Sequence, residues 1–228
     1  MSEQVKQLFT DIAPRYDRIN SILSLRIDRH WRREAIQLLK NDSYRSILDL
    51  CAGTLALTEE LLRTNARCHV TAIDFSEQML QIGLGKLPYG YLRRVRAENR
   101  DAMSLPFPGH TFDAVMCAYG MRNLDDNQKA LEGIRRVLKP GGKLVILDFF
   151  APDRWTSRLF HATYGNFFIP TFGRLISRHK NAYEYLRNSI RGFYTPTAYA
   201  ELLKSVGFQN VTLKRQTGGD SCLLTGEA

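Results

Sequence analysis

Short apolar runs alternate along the chain with longer segments whose apolar residues recur every three or four positions. Four such runs cover residues 47–50, 70–73, 112–118 and 143–148. Runs of this length, without polar alternation, are typical of buried parallel strands. Helical spacing separates them over residues 57–62, 77–86 and 125–138. This alternation predicts an α/β fold, with a mostly parallel sheet and helices on both faces.

Residues 2–44 precede the first predicted strand and are expected to form two or three short helices. One helix face would bury an apolar set made of Trp31, Ala35, Ile36 and Leu39. The segment also carries many ring and polar side chains, including Tyr16, Asp17 and His30. Two interpretations stay open: an amphipathic cover over the sheet, or a lid that closes over a substrate and excludes water.

Weaker patterns after residue 90 are expected to complete a seven-stranded sheet. A weakly marked strand is expected near residues 94–98, and Lys139-Pro140-Gly141-Gly142 predicts a helix end followed by a turn. Helices are predicted over residues 183–190 and 196–206. Two closing strands, over residues 208–214 and 221–225, are joined by a Gly218-Gly219 turn, which is typical of a hairpin at the sheet edge.

We divide the chain into four parts of one domain, since 228 residues with 44% hydrophobic content can fill one sizeable core. The parts are an N-terminal helical cap (1–44), an α/β core (45–150), a segment of aromatic and basic residues that covers the substrate (151–192), and a C-terminal helix with edge strands (193–228).

A tight turn of small residues, Ala52-Gly53-Thr54, separates the first strand from its helix. Gly53 has no Cβ, so the backbone can approach a ligand closely. Asp74 ends the second strand, 21 residues after Gly53, where an acidic residue can accept hydrogen bonds from a ribose. The alternative is that Gly53 only makes a turn and Asp74 only caps the helix near Ser76. Together, the two residues favour a nucleoside site.

Polar residues also follow the later strands. Asp101 could accept from an exocyclic amine or cap a turn, and Arg122 and Asn123 come directly after the run that ends at Ala118. Asp148 stands at the end of the next strand. Ligands bind outside the carboxyl ends of the strands in open α/β sheets, so these residues are candidates for a binding site.

The composition limits the binding partners and the cellular compartment that we expect for the protein. Lysine and arginine outnumber aspartate and glutamate by 32 to 23, so the net charge is +9, which suits nucleic acid, anionic lipid or an acidic ligand. The four cysteines show no metal spacing, and no secretory signal or membrane span is visible, so a cytoplasmic protein is expected. The aromatic and basic residues of 155–180 suit a greasy substrate, a membrane surface or stacked bases.

Several motifs together resemble one family, the menaquinone/ubiquinone-biosynthesis C-methyltransferases. The resemblance covers nearly the whole chain and rests on FTDIAPRYDRINSILSL (9–25) with Trp31-Arg32, ILDLCAGT (47–54), LPFPGHTFDAV (105–115), YGMRN (119–123), RVLKPGGKLVILDF (136–149) and YEYLRNSI (183–190). The first, the YGMRN and the YEYLRNSI motifs are specific to the quinone subfamily. The resemblance implies a Rossmann-like class I methyltransferase fold and S-adenosyl-L-methionine as the cofactor.

The resemblance also implies roles for individual residues. The cofactor would be bound by Gly53, Thr58, Asp74, Asp101, Ala102 and Ala118, with Asp101 in place of the usual asparagine and Ala118 in place of a frequent serine. Arg122 would stabilise a phenolate and orient a relaying water, with Asn123 beside it; Tyr16 is a further catalytic candidate, and Asp148 and His161 are weaker ones. No metal is expected.

Two positions depart from the family pattern Gly-Thr-Gly-Asp. Leu55 replaces a glycine and Ala56 an acidic residue. A branched side chain at Leu55 resists positive φ and would stand where the backbone meets the ligand, so weaker cofactor binding is expected.

The expected function is therefore ring methylation of a prenylated quinol: demethylmenaquinol, the ubiquinone-pathway benzoquinol, or both. A weak contact at the inner face of the cytoplasmic membrane and a homodimer are compatible with the sequence, and no nucleic-acid partner is expected. The alternatives are a methyltransferase with another, soluble acceptor, and a binding or interaction protein whose catalysis is weakened or lost, which Leu55 and Ala56 suggest. A nucleic-acid methyltransferase is a further alternative, but no motif of that class supports it.

Overall fold

A seven-stranded sheet organises the part of the chain that the structure describes. The computed structural model describes residues 13–24, 26–41, 43–155, 180–216 and 221–228. The strands are β1 (Ser46–Leu50), β2 (His69–Asp74), β3 (Val95–Asn99), β4 (Phe112–Ala118), β5 (Leu138–Phe149), β6 (Gln209–Arg215) and β7 (Ser221–Glu227). Their order is β3-β2-β1-β4-β5-β7-β6. Neighbours from β3 to β5 pair in parallel, whereas β7 pairs antiparallel with both β5 and β6.

The predicted fold class is confirmed by this sheet. The order reverses between β1 and β4, and such a switch point is where open α/β sheets bind ligands. The antiparallel C-terminal pair predicted for residues 208–225 forms the far edge. Its predicted Gly218-Gly219 turn lies outside the described residues.

Helices cover both faces of the sheet. They are α1 (Tyr16–Leu23), α2 (Ile27–Gln37), α3 (Ala56–Thr64), α4 (Glu77–Lys86), α5 (Tyr89–Leu92), α6 (Asn127–Val137), α7 (Lys180–Arg191) and α8 (Pro196–Val206). Apolar residues of α2, α3 and α4 pack in one buried cluster, and those of α6 and α8 pack in another. The face predicted for the N-terminal helix is confirmed, since Trp31, Ala35, Ile36 and Leu39 are all buried.

One local prediction is wrong in its boundaries. The turn expected at residues 139–142 lies inside β5, which begins at Leu138 directly after α6. Phe112 of β4 pairs with Leu138, and Ala114 pairs with Lys143, so residues 139–142 bulge out of the register. Gly141 has φ 71°, which a glycine adopts without strain.

Candidate active site

The turn after β1 places backbone and a carboxylate at the switch point of the sheet. A Cβ added to Gly53, which has φ 52°, would meet no atom within 4 Å, so the backbone there faces open space. The Gly53 N–H donates to Asp74 Oδ2 at 2.8 Å, and the Ser76 N–H donates to Asp74 Oδ1 at 2.9 Å. Burial raises the pKa of Asp74 to about 6, although both amide hydrogen bonds oppose this rise. Asp74 thus fixes the turn and still lines a cavity.

Leu55 does not stand where the sequence predicted. It adopts φ 62° and its side chain is fully buried in the core, outside the residues that line the cavities beside the turn. A Cβ built on Gly83 of α4 would lie 2.5 Å from Leu55 Cγ, so Leu55 packs directly against that glycine. The prediction that the Leu55 side chain stands in the way of the ligand is therefore wrong. The left-handed backbone conformation directs this side chain into the core. Ala56 does line the larger cavity.

Thr58 is likewise turned away from the cavities. It is fully buried, and its Oγ1 donates to Asp49 Oδ2 at 2.5 Å. Asp49, in the middle of the buried strand β1, lines the larger cavity. Burial raises the pKa of Asp49 to about 7, against the hydrogen bond from Thr58. The structure connects Thr58 with the site through Asp49 rather than by direct exposure.

Two cavities lie side by side at the carboxyl ends of the strands. The larger, of about 260 Å³, is enclosed by α1, α2, the glycine turn and the start of α3. The smaller, of about 40 Å³, lies between the ends of β1, β2 and β4. Their shared walls are Tyr16, Cys51, Gly53, Ala118 and Tyr119.

The two predicted catalytic residues of the YGMRN turn have different surroundings. Arg122 is buried and donates through one guanidinium nitrogen to Asp148 Oδ1 at 2.6 Å and to the Tyr119 carbonyl at 2.7 Å. Burial alone would lower the pKa of Arg122, but the Asp148 carboxylate reverses this and raises the pKa. Asn123 lines the smaller cavity, and its Oδ1 accepts from the Tyr185 hydroxyl of α7 at 2.9 Å.

Tyr16 lies close to this turn. Its pKa is raised by burial, and the positive charge of Arg122 opposes the rise. Burial also raises the pKa of Tyr185 in α7, which the charge of Arg122 opposes, and the Tyr185 hydroxyl donates to Asn123 in the same turn. The structure thus brings together Tyr16, Arg122, Asn123 and Asp148. His161 and the aromatic residues 156–179 lie outside the described residues.

Asp101 and Ala102 stand apart from the two cavities. Asp101 is exposed after β3, and its Oδ1 accepts from the Met103 N–H at 2.9 Å, so it caps a turn. Ala102 is buried in the core. Their predicted contact with an adenine stays a prediction.

Two residues of the site, Asp49 and Tyr119, were not predicted from the sequence. Asp49 could have been predicted, because burying a carboxylate inside an apolar strand costs free energy unless it has a hydrogen-bond partner or a functional role. Tyr119 gave no such signal: its ring stacks on Phe149 at 5.0 Å between centroids, and its buried hydroxyl has no hydrogen-bond partner in the described part of the chain. It lines both cavities.

The sheet order, the open glycine turn and the carboxylate at the end of β2 define the class I methyltransferase fold. Human N-acetylserotonin methyltransferase, solved in complex with S-adenosylmethionine, has a similar structure, with a TM-score of 0.61 at 18% identity over 89% of this chain and 54% of that one. At that identity the likeness concerns the fold alone.

The sequence matches the model of the ubiE/COQ5 methyltransferase family over residues 1–227. The ubiquinone/menaquinone biosynthesis C-methyltransferase UbiE of Geobacter sulfurreducens is 38% identical over 99% of this chain and 88% of its own length. A demethylmenaquinone methyltransferase of Bacteroides fragilis is 38% identical over 98% of this chain and 92% of its own length. The chain therefore belongs to the ubiE/COQ5 methyltransferase family, which confirms the predicted family.

The residues present fit S-adenosylmethionine, the predicted cofactor. The open face of Gly53 admits a ligand against the backbone, and Asp74 offers carboxylate oxygens beside it for ribose hydroxyls. The larger cavity adjoins the same turn and carries both acidic and basic side chains. Among the helices that the structure describes, none is long and apolar enough to cross a bilayer.

Proposed function

We propose that this protein is an S-adenosylmethionine-dependent C-methyltransferase that methylates the ring of a prenylated quinol. One observation carries the proposal beyond the family. Three distant motifs that resemble the quinone subfamily meet at the smaller cavity: Tyr16 and Asn123 line it, and the Tyr185 hydroxyl donates to Asn123 Oδ1. Arg122 precedes Asn123 in the same turn. The related UbiE and demethylmenaquinone methyltransferase support the choice of a quinol acceptor.

Bound S-adenosylmethionine supplies an activated methyl group on a sulfonium. The new carbon–methyl bond replaces the sulfur–methyl bond, and the methylated ring carbon then loses its own proton to restore the aromatic ring. The chain therefore has three tasks: to align the acceptor carbon, to exclude bulk water, and to let the phenol proton and the ring proton leave to solvent. Arg122 stays protonated, because Asp148 raises its pKa, and can stabilise a developing phenolate. Burial raises the pKa of Tyr16, so its hydroxyl holds its proton at neutral pH and can donate to the same oxygen or to a relaying water.

Asp148 has a positioning role in this proposal. Its Oδ1 accepts from the Arg122 guanidinium, and its Oδ2 accepts from the Arg122 backbone N–H at 3.2 Å. The carboxylate therefore holds both ends of Arg122. Because Arg122 and Asp148 are both buried, removal of the arginine alone leaves an unpaired charge, which costs about 3–5 kcal/mol of stability.

The test separates catalysis from folding. We expect Arg122→Ala to lower single-turnover methylation of a demethylnaphthoquinol by about 100-fold or more, and Arg122→Lys, which lacks the planar guanidinium, to lower it too. Adding Asp148→Asn to Arg122→Ala should recover much of the lost stability in urea unfolding without recovering turnover. Cofactor affinity, measured by calorimetry, should change little.

Three outcomes would contradict the proposal. Normal turnover of folded Arg122→Ala would make Arg122 purely structural. Methylation of a soluble phenol in preference to the quinol would favour the alternative acceptor. A methyl group found on oxygen by mass spectrometry and NMR would contradict methylation of the ring.

The membrane contact and the homodimer belong to the same proposal. Trp155 is 75% exposed at the start of the aromatic and basic segment, and the net charge of +9 attracts anionic lipid. We propose a weak peripheral contact there, through which a prenylated acceptor reaches the site. The homodimer stays a prediction, which sedimentation velocity tests.

A further inference from the structure

Two cysteines lie side by side at the carboxyl ends of β1 and β4. Leu50, the last residue of β1, pairs with Cys117 of β4, and Cys51 follows Leu50 directly. A Cβ built on Gly120 would lie 2.9 Å from the sulfur of each cysteine, so the two sulfur atoms are close neighbours. The two thiols also interact by a hydrogen bond between their side chains. The glycine at position 120 thus leaves the space that this pair of thiols fills.

The spacing of the two strands suits a disulfide between these thiols. Neighbouring strands lie about 4.8 Å apart, and disulfides join residues whose Cα atoms are about 4.4–6.8 Å apart. Cys51 stands one position beyond the partner of Cys117 in the register of β1 and β4. Both side chains pack against the same buried cluster, and both are free thiols. One S–S bond would therefore join the turn after β1 to β4.

Cys51 connects the thiol pair with the candidate site, because it lines both cavities. The hydrogen bond with Cys117 and burial raise the pKa of Cys51 well above its usual range, and the carboxylates of Asp74 and Asp148 add to this rise. Cys51 therefore keeps its proton at neutral pH, and a protonated thiol reacts slowly with oxidants in bulk solution. An oxidant that binds in the cavity meets the thiol at a much higher effective concentration.

The acceptor of the proposed reaction exists in two redox states. A ring carbon of the quinol attacks a methyl group because the neighbouring phenolate gives electron density to the ring. A quinone ring is electron-poor and does not react in this way. A quinone that enters the site must therefore gain two electrons and two protons before it can be methylated. Two thiols that close to a disulfide release the same two electrons and two protons.

We propose that Cys51 and Cys117 reduce the quinone form of the acceptor to the quinol inside the site. This rests on the proposed function and extends it. Two S–H bonds break and one S–S bond forms, while the quinone takes up the two electrons and the two protons and becomes the quinol. Repeated turnover needs a thiol reductant from solution, which opens the disulfide by thiol–disulfide exchange.

The experiment measures quinol and thiols together, in the absence of S-adenosylmethionine. The unmodified protein is reduced with dithiothreitol, freed of the reductant, and mixed anaerobically with a short-chain demethylnaphthoquinone. We expect about one equivalent of quinol per chain by absorbance, and the loss of two of the four thiols. Peptide mass spectrometry should locate the new disulfide between Cys51 and Cys117, and dithiothreitol should restore both thiols.

Two variants and a second oxidant sharpen the result. Cys117→Ala removes the sulfur that completes the disulfide, so the yield of quinol should fall at least about tenfold. Cys68→Ala is the matched control and should leave the yield unchanged, because Cys68 is equally buried but its sulfur contacts the Asn65 carbonyl at 3.7 Å. Hydrogen peroxide at the same concentration should oxidise Cys51 and Cys117 at least about tenfold more slowly than the quinone does.

Three results would overturn this assignment of the thiols: a covalent adduct of the quinone on Cys51, a disulfide that includes another cysteine, or a full yield of quinol from Cys117→Ala. Peptide mass spectrometry of the unmodified protein decides the first two without any variant.

The proposed function is tested apart from the thiols, with quinol that has been reduced chemically beforehand. If the unmodified protein methylates this quinol but does not reduce the quinone, the role of the thiols is wrong and the proposed function stands. If it does not methylate the reduced quinol, the proposed function is wrong.

Discussion

Leu55 holds a left-handed backbone conformation and still buries its whole side chain. A glycine at this position would release about 1 kcal/mol of backbone strain, but loss of a buried leucine costs about 2–5 kcal/mol. We therefore expect Leu55→Gly to lower the free energy of unfolding by about 1–4 kcal/mol. Urea unfolding measures this, with Leu38→Ala as the control, since Leu38 is 37% exposed.

Cofactor affinity of the folded Leu55→Gly protein should stay within about twofold of the original, because Leu55 lies in the core. Higher stability, or much tighter cofactor binding, would show instead that this side chain does obstruct the turn, as the sequence alone predicted.

Asp49 predicts a pH dependence of stability. Its pKa is about 7 in the folded protein against 3.8 for a free aspartate, so the folded state binds this proton more tightly than the unfolded state. The stability that this proton gives is complete below about pH 4 and is lost as the pH rises through 7. We expect the unmodified protein to lose up to about 3 kcal/mol relative to Asp49→Asn between pH 5 and pH 8.

The measurement for Asp49 is urea unfolding of both proteins at several pH values. Asparagine can still accept the Thr58 hydroxyl, so the variant retains the hydrogen bond. Parallel stability profiles of the two proteins would contradict the raised pKa.

A hydrogen bond joins α7 to the candidate site. The Tyr185 hydroxyl donates to Asn123 Oδ1, and this bond joins the YEYLRNSI helix to the YGMRN turn. We expect Tyr185→Phe to cost about 1 kcal/mol of stability and to speed hydrogen exchange of the α7 backbone amides. Turnover of the quinol should also fall, because Asn123 loses the partner of its Oδ1 and keeps the hydrogen bond from its Nδ2 to the Tyr119 carbonyl.

Tyr194→Phe is the matched control for Tyr185→Phe, since Tyr194 is half-exposed and packs by its ring against Phe193 and Tyr199. Unchanged exchange in α7 would show that other contacts hold the helix.

Elements with local signals could be predicted closely from sequence. Helix α8 begins at Pro196 after Thr195, whose side chain caps it, and ends before Gly207 at φ 99°. Strand β4 matches its apolar run. The bulge at residues 139–142 could not be placed, because it depends on the register of β5 against β4. The four-part division of the chain stays a prediction.

At the scale of the molecule, the sequence predicted the fold and the glycine turn but not the pairing of side chains across the site. The order of the motifs along the chain does not reveal that Asp148 forms an ion pair with Arg122. Nor does it reveal that Asp17 of α1 accepts a hydrogen bond from Thr54. These contacts join segments more than 20 residues apart, and local spacing carries no information about them.

The basic surface of the whole molecule predicts a weak, salt-sensitive attraction to membranes. With a net charge of +9, the protein should sediment with vesicles that contain anionic lipid at low salt and be released as salt is raised, because the Debye length shortens.

Trp155 is 75% exposed, and Trp155→Ala should weaken this binding, since an indole ring favours the headgroup region. Tyr89→Ala is the control, because Tyr89 is 76% exposed on the distant helix α5. If salt has no effect, or if both variants lose binding equally, the contact does not run through the segment that begins at Trp155, and the acceptor must reach the site without it.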